Sequence, residues 1–205
     1  MIKNYVFDLG QVLAAFDPAA LTAACVDDPE TAELIRQTVF DRLYWDKLDA
    51  GTMTDEEART GFCSRLPEHL HETACRVYDT WVEHMAPIDG MQELARDIKK
   101  QGGMLYLLSN TSVCFAENYG RSPWLADLLT LFDGMVISGV VKLVKPDKKI
   151  FAHLLSQYEL KAEETVFIDD NAKNIAACQA LGIGGYLFDG DAQKLRSRLG
   201  LAQHT

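Results

Sequence analysis

A short apolar run near the N-terminus ends in an acidic residue, and this stretch constrains the fold more strongly than any other. Residues 5–7, Tyr-Val-Phe, favour β-structure and lead directly into Asp8, with Gly10 two positions further on. This pattern predicts a buried strand that delivers a carboxylate to its C-terminal end, where open α/β sheets place their ligand sites. An acid in this position could equally cap a turn or a helix. The choice between these roles depends on the side chains that other strand ends supply.

Two further apolar runs end in polar residues in the same way. Residues 104–108 lead into the sequence Ser-Asn-Thr at 109–111, whose side chains can hydrogen-bond an anion. Residues 165–168 lead into Asp169 and Asp170. The acidic pair could instead form a turn that opens the following helix, where negative charge favours the helix dipole. Because each group follows a strand-like run, we expect all of them at one edge of a parallel sheet.

Lys145 is the fourth candidate group, and it immediately precedes Pro146. A proline suits the first turn of a helix, so we expect Pro146 to begin one. A lysine in a loop is usually a solvated surface residue. The case for Lys145 as a site residue therefore rests on the motifs around it rather than on its own position.

Strand-like and helical periods alternate from residue 87 onwards, which predicts a doubly wound, Rossmann-like α/β core with a parallel sheet. Residues 17–86 contain helical periods and no strand, which indicates an inserted helical subdomain. We predict one helix over residues 31–48 and a capping box from Thr54 to Glu57 at the start of another. The predicted domains are residues 1–16 together with 87–205 for the core, and residues 17–86 for the insertion.

The composition indicates which partners the protein can bind and in which cellular compartment we expect it. The formal net charge of −10 argues against a nucleic-acid partner or an anionic membrane surface, because both need clustered Lys and Arg. The five cysteines are scattered and contain no Cys-x-x-Cys pair, which favours reduced thiols and a cytoplasmic location. We also find no apolar run of about 18 residues and no signal-peptide pattern at the N-terminus.

The order of these groups resembles the four motifs of the haloacid dehalogenase-like superfamily, whose members are mostly magnesium-dependent phosphatases. The resemblance extends from Phe7 to Phe188. It implies an α/β core with a helical cap at residues 17–86, and a reaction in which Asp8 attacks phosphorus and forms an aspartyl-phosphate. It also implies a Mg²⁺ cofactor, because this cation prefers hard oxygen ligands.

The same resemblance implies the ligands of the metal ion. Asp8, the main-chain carbonyl of Gly10 and Asp169 would bind Mg²⁺ directly, and Asp170 would lie behind them. The metal and a phosphoryl group would then share the carboxyl edge of the sheet, where Asp8 is held in line with phosphorus.

The phosphoryl group itself would be bound by three further residues. Ser109 and Asn110 would donate hydrogen bonds to its oxygens, although both residues are also suited to capping the next helix. Lys145 would neutralise the phosphate and keep Asp8 ionised.

Gly10 departs from the common pattern of the superfamily. Most of its phosphatases have a second Asp at this position, which protonates the leaving oxygen, and many have a glycine at the position of Gln11. The sequence Asp-Leu-Gly at 8–10 is similar to a bacterial subgroup that includes α-D-glucose-1-phosphate phosphatases. If no group replaces the acid, hydrolysis should depend steeply on the pKa of the leaving group. Asp17 is the nearby acid that could substitute.

The motifs and the resemblance lead to three alternative hypotheses about function. The leading one is a Mg²⁺-dependent phosphatase of a small phosphorylated metabolite, with a sugar phosphate as the specific candidate. The second is a regulatory module that binds phosphate and metal but turns over poorly, because Gly10 replaces the usual acid. The third is a metal-independent dehalogenase that uses the same aspartate, and the acidic pair at 169–170 argues against it.

Overall fold

The computed structural model describes residues 1–201, and its centre is a five-stranded parallel sheet with the strand order β5-β4-β1-β6-β7. Two very short strands, β2 and β3, form a separate antiparallel ribbon. In chain order, the strands are β1 Asn4–Phe7, β2 Ala14–Ala15, β3 Ala86–Pro87, β4 Met104–Ser109, β5 Gly134–Ile137, β6 Thr165–Asp169 and β7 Gly184–Leu187.

Helices surround the sheet and fill the stretch between β2 and β3. They are α1 Pro18–Ala23, α2 Pro29–Val39, α3 Arg42–Asp49, α4 Asp55–Cys63, α5 His71–Thr80, α6 Met91–Lys100, α7 Val113–Asn118, α8 Pro123–Leu129, α9 Ser138–Val141, α10 Lys148–Gln157, α11 Ala172–Gln179 and α12 Ala192–Arg198. The predicted α/β fold with a parallel sheet is confirmed.

Both faces of the sheet are buried, because successive side chains of a strand point to opposite sides. Phe7 of β1 packs into one hydrophobic cluster with Leu107 of β4, whereas Val6 packs into the other with Leu108. Helices cover each face, so the strands can be almost wholly apolar until they reach their carboxyl ends. Polar side chains at those ends are therefore the exception that marks the site.

The inserted helices α2 to α5 build a hydrophobic cluster of their own, which includes Ile35, Val39, Phe62 and Val77, whereas Leu21 of α1 packs into a cluster of the sheet. The β2–β3 ribbon stands where the chain leaves the sheet region and returns to it. It coincides with the predicted boundaries near residues 16 and 87, and the division into core and cap stays a prediction.

The predicted single helix over residues 31–48 is wrong, because the chain forms α2 and α3 with a break between them. Asp41 adopts an extended backbone and its side chain accepts a hydrogen bond from the Leu43 N–H at 2.9 Å, so it begins a new helix. The capping box of Thr54 and Glu57 at the start of α4 is confirmed.

Pro146 does not lie in the first turn of a helix, contrary to the prediction. Helix α10 begins at Lys148, and Asp147 caps it by accepting a hydrogen bond from the Lys149 N–H at 2.9 Å. Within residues 1–201, no helix combines the length and hydropathy that a membrane span requires.

Candidate active site

The carboxyl edge of the sheet carries a buried ion-pair network of one lysine and two aspartates. Asp8 follows β1, and Asp169 ends the adjacent strand β6. The Lys145 Nζ lies 2.8 Å from Asp8 Oδ1 and 2.8 Å from Asp169 Oδ2. The Lys145 and Asp169 side chains are 1% and 0% exposed. A cation this deeply buried requires such partners, so the surface position typical of lysine does not apply to Lys145.

Asp169 is held in place from the helix that follows it. Its Oδ1 accepts a hydrogen bond from the Asn171 N–H at 2.7 Å. The buried Asn174 side chain donates to both carboxylate oxygens, at 3.1 Å and 3.0 Å. Asn171 also caps helix α11 through the Lys173 N–H, so the acidic pair precedes the helix but does not cap it. These contacts fix the orientation of the carboxylate towards Lys145 and Asp8.

The pKa of Asp8 is raised to about 6, mainly by burial and also by the negative charge of Asp169. Lys145 opposes this effect through its charge and its hydrogen bond, and the Leu9 N–H donates a further hydrogen bond to Asp8 Oδ1 at 2.7 Å. Lys145 therefore limits the cost of keeping Asp8 ionised in a site largely removed from water.

The acidic residues at this edge fit a divalent cation. Asp8, Asp169 and Asp170 each offer one carboxylate oxygen, and the three oxygens lie within 4.8 Å of one another. Hard oxygens at this spacing, next to solvent that can complete the coordination, suit Mg²⁺. The resemblance places Asp170 behind the ligands, whereas its oxygen here belongs to the same cluster as those of Asp8 and Asp169.

Ser109 and Asn110 line the same cavity as Asp8, at the end of β4. The Asn110 side chain clamps the main chain of Lys145: its Oδ1 accepts from the Lys145 N–H at 2.8 Å, and its Nδ2 donates to the Lys145 carbonyl at 2.9 Å. Helix α7 takes Ser112 as its N-cap, so neither Ser109 nor Asn110 caps it. Phosphate binding by these two side chains stays a prediction, and Asn110 has the additional role of positioning Lys145.

Gly10 and Gln11, the two residues that depart from the common first motif, differ in their backbone conformation. Gln11 has a backbone φ of 57°, in the left-handed region that favours glycine, and its side chain donates to the Phe16 carbonyl at 2.9 Å. Gly10 has no such requirement, and a Cβ added to it would meet nothing nearer than the Phe16 Cβ at 4.0 Å. The backbone at position 10 can therefore accept a side chain.

A small cavity opens above Asp8, between the sheet edge and the inserted helices. Its volume of about 220 Å³ is below the ~300–1,000 Å³ typical of small-molecule pockets. Apart from the residues of the strand ends, its wall consists of Phe16, Trp45, Asp49, Trp81 and Met85.

Asp17, the predicted substitute for the missing acid, does not line this cavity. Its side chain instead accepts a hydrogen bond from the Ala19 N–H at 2.9 Å and caps helix α1.

The structure brings together every predicted site residue, namely Asp8, Gly10, Ser109, Asn110, Lys145, Asp169 and Asp170. Sequence reasoning missed Asn174 and the cavity residues from the inserted helices. The position of Asn174, five residues after Asp169 and within the first turn of a helix, could have suggested it. No local signal identifies Trp45 or Asp49, because their proximity to Asp8 depends on how the inserted helices pack.

Two phosphatases are similar to this chain along most of their length. The sesquiterpene phosphatase astK of Aspergillus oryzae is 27% identical over 183 residues, which cover 89% of this chain and 88% of the relative. The D-ribitol-5-phosphate phosphatase of Bacteroides thetaiotaomicron is 25% identical over 192 residues, which cover 89% of each chain.

A solved structure shares the fold, and a family model covers most of the sequence. A HAD family enzyme of Bacteroides thetaiotaomicron, crystallised with magnesium and inorganic phosphate, superposes with a TM-score of 0.71 at 22% identity, covering 95% of this chain and 99% of that one. The model of the haloacid dehalogenase-like hydrolases matches residues 2–182. On this match and on the site at the strand ends, the chain belongs to the haloacid dehalogenase-like hydrolases.

Proposed function

We propose that this chain is a magnesium-dependent phosphomonoester hydrolase in which Asp8 is the nucleophile. The observation that carries the proposal is the convergence of Asp8 and Asp169, bridged by the buried Lys145 at 2.8 Å from each, at the carboxyl edge of the sheet. Asp170 adds a third carboxylate oxygen, close enough to those of Asp8 and Asp169 to contact one shared divalent metal ion. Two carboxylates and a lysine concentrated in one site suit a reaction at a strongly anionic group.

The residues divide the work of phosphoryl transfer between them. An Asp8 oxygen attacks phosphorus, and the bond from phosphorus to the leaving oxygen breaks. In this proposal Lys145 offsets negative charge at the site, and Ser109, which lines the same cavity, donates to a phosphoryl oxygen. Asp8, Asp169 and the Gly10 carbonyl would hold magnesium, with Asp170 near them, and the bound cation would supply further neutralisation of the phosphoryl charge.

Hydrolysis of p-nitrophenyl phosphate separates this function from its two rivals. We expect turnover that requires Mg²⁺ and is lost when EDTA removes it. A regulatory module would bind phosphate with Mg²⁺ without turning over the ester. A dehalogenase would release halide from a 2-haloacid with EDTA present, and the three-carboxylate cluster argues against that outcome because such chemistry needs no metal.

For the substrate, we propose a phosphate ester whose organic group is small and largely apolar. Phe16, Trp45, Trp81 and Met85 surround the space above Asp8. Phe16 packs against the rings of Trp45 and Trp81 with centroid separations of 5.2 Å and 5.6 Å, which makes this wall an aromatic cluster. The relative named a sesquiterpene phosphatase supports an apolar group, whereas the one named a ribitol-5-phosphate phosphatase supports the competing sugar phosphate. The α-D-glucose-1-phosphate subgroup belongs to that competing class.

A series of n-alkyl phosphates, compared with glucose 1-phosphate and ribitol 5-phosphate, tests the substrate class. Each methylene that enters an apolar cavity contributes about 0.8 kcal/mol, so two methylenes should raise kcat/KM by roughly tenfold. We expect this rise to stop when the chain outgrows the cavity of about 220 Å³. A higher kcat/KM for either sugar phosphate than for every alkyl ester would contradict an apolar leaving-group site.

Asn174→Ala should weaken the metal site without removing a ligand. Asn174 donates to both oxygens of Asp169, and loss of such an orienting hydrogen bond typically costs about 10- to 100-fold in metal affinity. We expect a higher Mg²⁺ concentration for half-maximal activity, with most of kcat restored at saturating Mg²⁺. The matched control is Asn118→Ala, because the Asn118 side chain donates to the Cys114 carbonyl within helix α7 and not to Asp169. An unchanged Mg²⁺ requirement would show that Asp169 needs no support from Asn174.

A further inference from the structure

The leaving oxygen of a phosphate ester needs a proton, and Gly10 cannot provide it. Among the described residues, the acidic groups that line the cavity are Asp8 and Asp49. Asp8 is assigned to the attack on phosphorus, so it is not available as the acid. Asp17, the other nearby acid, is used as a helix cap. Asp49 is therefore the remaining acidic group of the cavity.

Asp49 comes from the inserted helices and faces the cavity from the side opposite the sheet edge. It is the last residue of α3, four residues after Trp45, so both side chains project from one face of this helix. Its Oδ1 is buried and accepts no hydrogen bond from any residue in the described part of the chain. The C-terminal end of a helix also disfavours a negative charge. The fold thus keeps a buried carboxyl oxygen without a hydrogen-bond donor among the described residues, beside apolar side chains, at a cost that calls for a functional reason.

We propose that Asp49 is the general acid and base of the reaction, supplied by the inserted helices in place of the residue missing at position 10. This inference rests on the proposed phosphatase function. In the first step, the Asp49 carboxyl gives its proton to the leaving oxygen as the phosphorus–oxygen bond breaks, which releases the alcohol and leaves Asp49 ionised. In the second step, Asp49 takes a proton from the water that attacks phosphorus. The bond to Asp8 then breaks, which releases phosphate and restores both side chains.

The electrostatic surroundings of Asp49 suit this role. The pKa of Asp49 is raised to about 7, mainly by burial and also by the negative charges of Asp46 on the same helix and Asp8 across the cavity, against the opposing charges of Arg42 and Lys145. A carboxyl group in such surroundings is protonated in a substantial fraction of molecules near neutral pH. An acid whose pKa is close to the working pH can both give and retake a proton efficiently.

An acid at position 49 also explains why the protein can have a glycine at position 10. The two positions line the same cavity, and position 10 has room for a side chain. An acid at either position could reach a leaving oxygen between them. Asp49 as the acid therefore changes the expectation for the wild-type protein, whose dependence on leaving-group pKa should be shallow rather than steep.

The experiment compares kcat/KM of the wild type and Asp49→Asn for p-nitrophenyl phosphate and for butyl phosphate, at saturating Mg²⁺. The ratio kcat/KM reports the first, irreversible step, in which Asp49 acts as an acid. We expect Asp49→Asn to lose about 10²- to 10⁴-fold with butyl phosphate and far less with p-nitrophenyl phosphate, whose leaving group departs without a proton. The control is Asp127→Asn, which changes an exposed aspartate paired with Arg96 and should alter kcat/KM for neither ester.

Two further measurements distinguish an acid from a structural residue. For butyl phosphate, wild-type kcat/KM should fall as pH rises above about 7, the pKa of Asp49, and this limb should be absent with p-nitrophenyl phosphate. Gly10→Asp introduced into Asp49→Asn should recover at least tenfold of the lost activity on butyl phosphate.

An equal loss on both esters in Asp49→Asn would overturn the assignment. If that variant does not fold, the wild-type profile decides the question: a limb shared by both esters, or present with neither, would overturn it. A wild type that shows no Mg²⁺-dependent hydrolysis of either ester would instead overturn the proposed function, and the role of Asp49 with it.

Discussion

Asp8→Asn should lose turnover almost completely while the protein stays folded. The amide has the size of the carboxylate but no anionic oxygen, so it cannot attack phosphorus. Loss of a nucleophile of this kind lowers kcat by about 10⁴- to 10⁶-fold. The fold should persist because Asp8 is partly exposed, at 13%, and lies beyond the last residue of β1 rather than in the core. Single-turnover and steady-state assays with p-nitrophenyl phosphate measure the effect.

The control for this variant is Asp27→Asn, which makes the same chemical change at an exposed position between helices α1 and α2. Its activity should equal that of the wild type. Mass spectrometry must verify that residue 8 is still Asn, because deamidation would recreate the nucleophile. Activity in intact Asp8→Asn within tenfold of the wild type would rule out the covalent route through Asp8.

Lys145→Met should damage both stability and catalysis. The lysine is 1% exposed and contacts Asp8 and Asp169, so its loss leaves the fully buried Asp169 carboxylate and the partly exposed Asp8 carboxylate without their shared cation. Breaking a buried ion pair in this way costs about 3–5 kcal/mol of unfolding free energy. We also expect kcat to fall by about 10²- to 10³-fold, the usual effect of removing one charge-stabilising group.

Mg²⁺ gives this prediction a distinctive signature. A cation bound by the folded state stabilises it by mass action, so Mg²⁺ should recover more of the unfolding free energy in Lys145→Met than in the wild type. Lys148→Met, at an exposed position three residues away, is the matched control and should behave as the wild type. Equal stability of Lys145→Met and the control in metal-free buffer would show that Lys145 does not relieve the repulsion between Asp8 and Asp169.

The sequence was sufficient to predict the parallel sheet and the residues at its edge. After the polar residues Asn4 and Thr165 at the starts of β1 and β6, strands β1, β4 and β6 are apolar until they end, so Asp8, Ser109 and Asp169 follow apolar runs. The parallel pairing of β1 with β4 and β6 then brings these ends together. Residues identified by their position in a strand were therefore predictable from local pattern alone.

Residues identified by packing were not predictable in this way. Asp41 lies within a stretch of helical period, but its backbone is extended and its side chain caps α3, so the stretch forms two helices. Asp17 was the nearer acid in sequence, yet its side chain turns back to cap α1. Asp49, 41 residues after Asp8 by number, reaches the cavity because the inserted helices fold over the sheet edge. No sequence period encodes that contact.

During turnover Asp8 should carry the phosphoryl group as an aspartyl-phosphate, and this intermediate can be trapped chemically. The enzyme is mixed with substrate and Mg²⁺, quenched in acid within the first turnover, and treated with borohydride, which reduces an aspartyl-phosphate to homoserine. Peptide mass spectrometry then reads residue 8. We predict homoserine at position 8, absent in Asp8→Asn and in the presence of EDTA. Reduction at a different acidic residue would contradict a covalent role for Asp8. So would an unmodified Asp8 at quench times when a burst of released alcohol shows that an intermediate has accumulated.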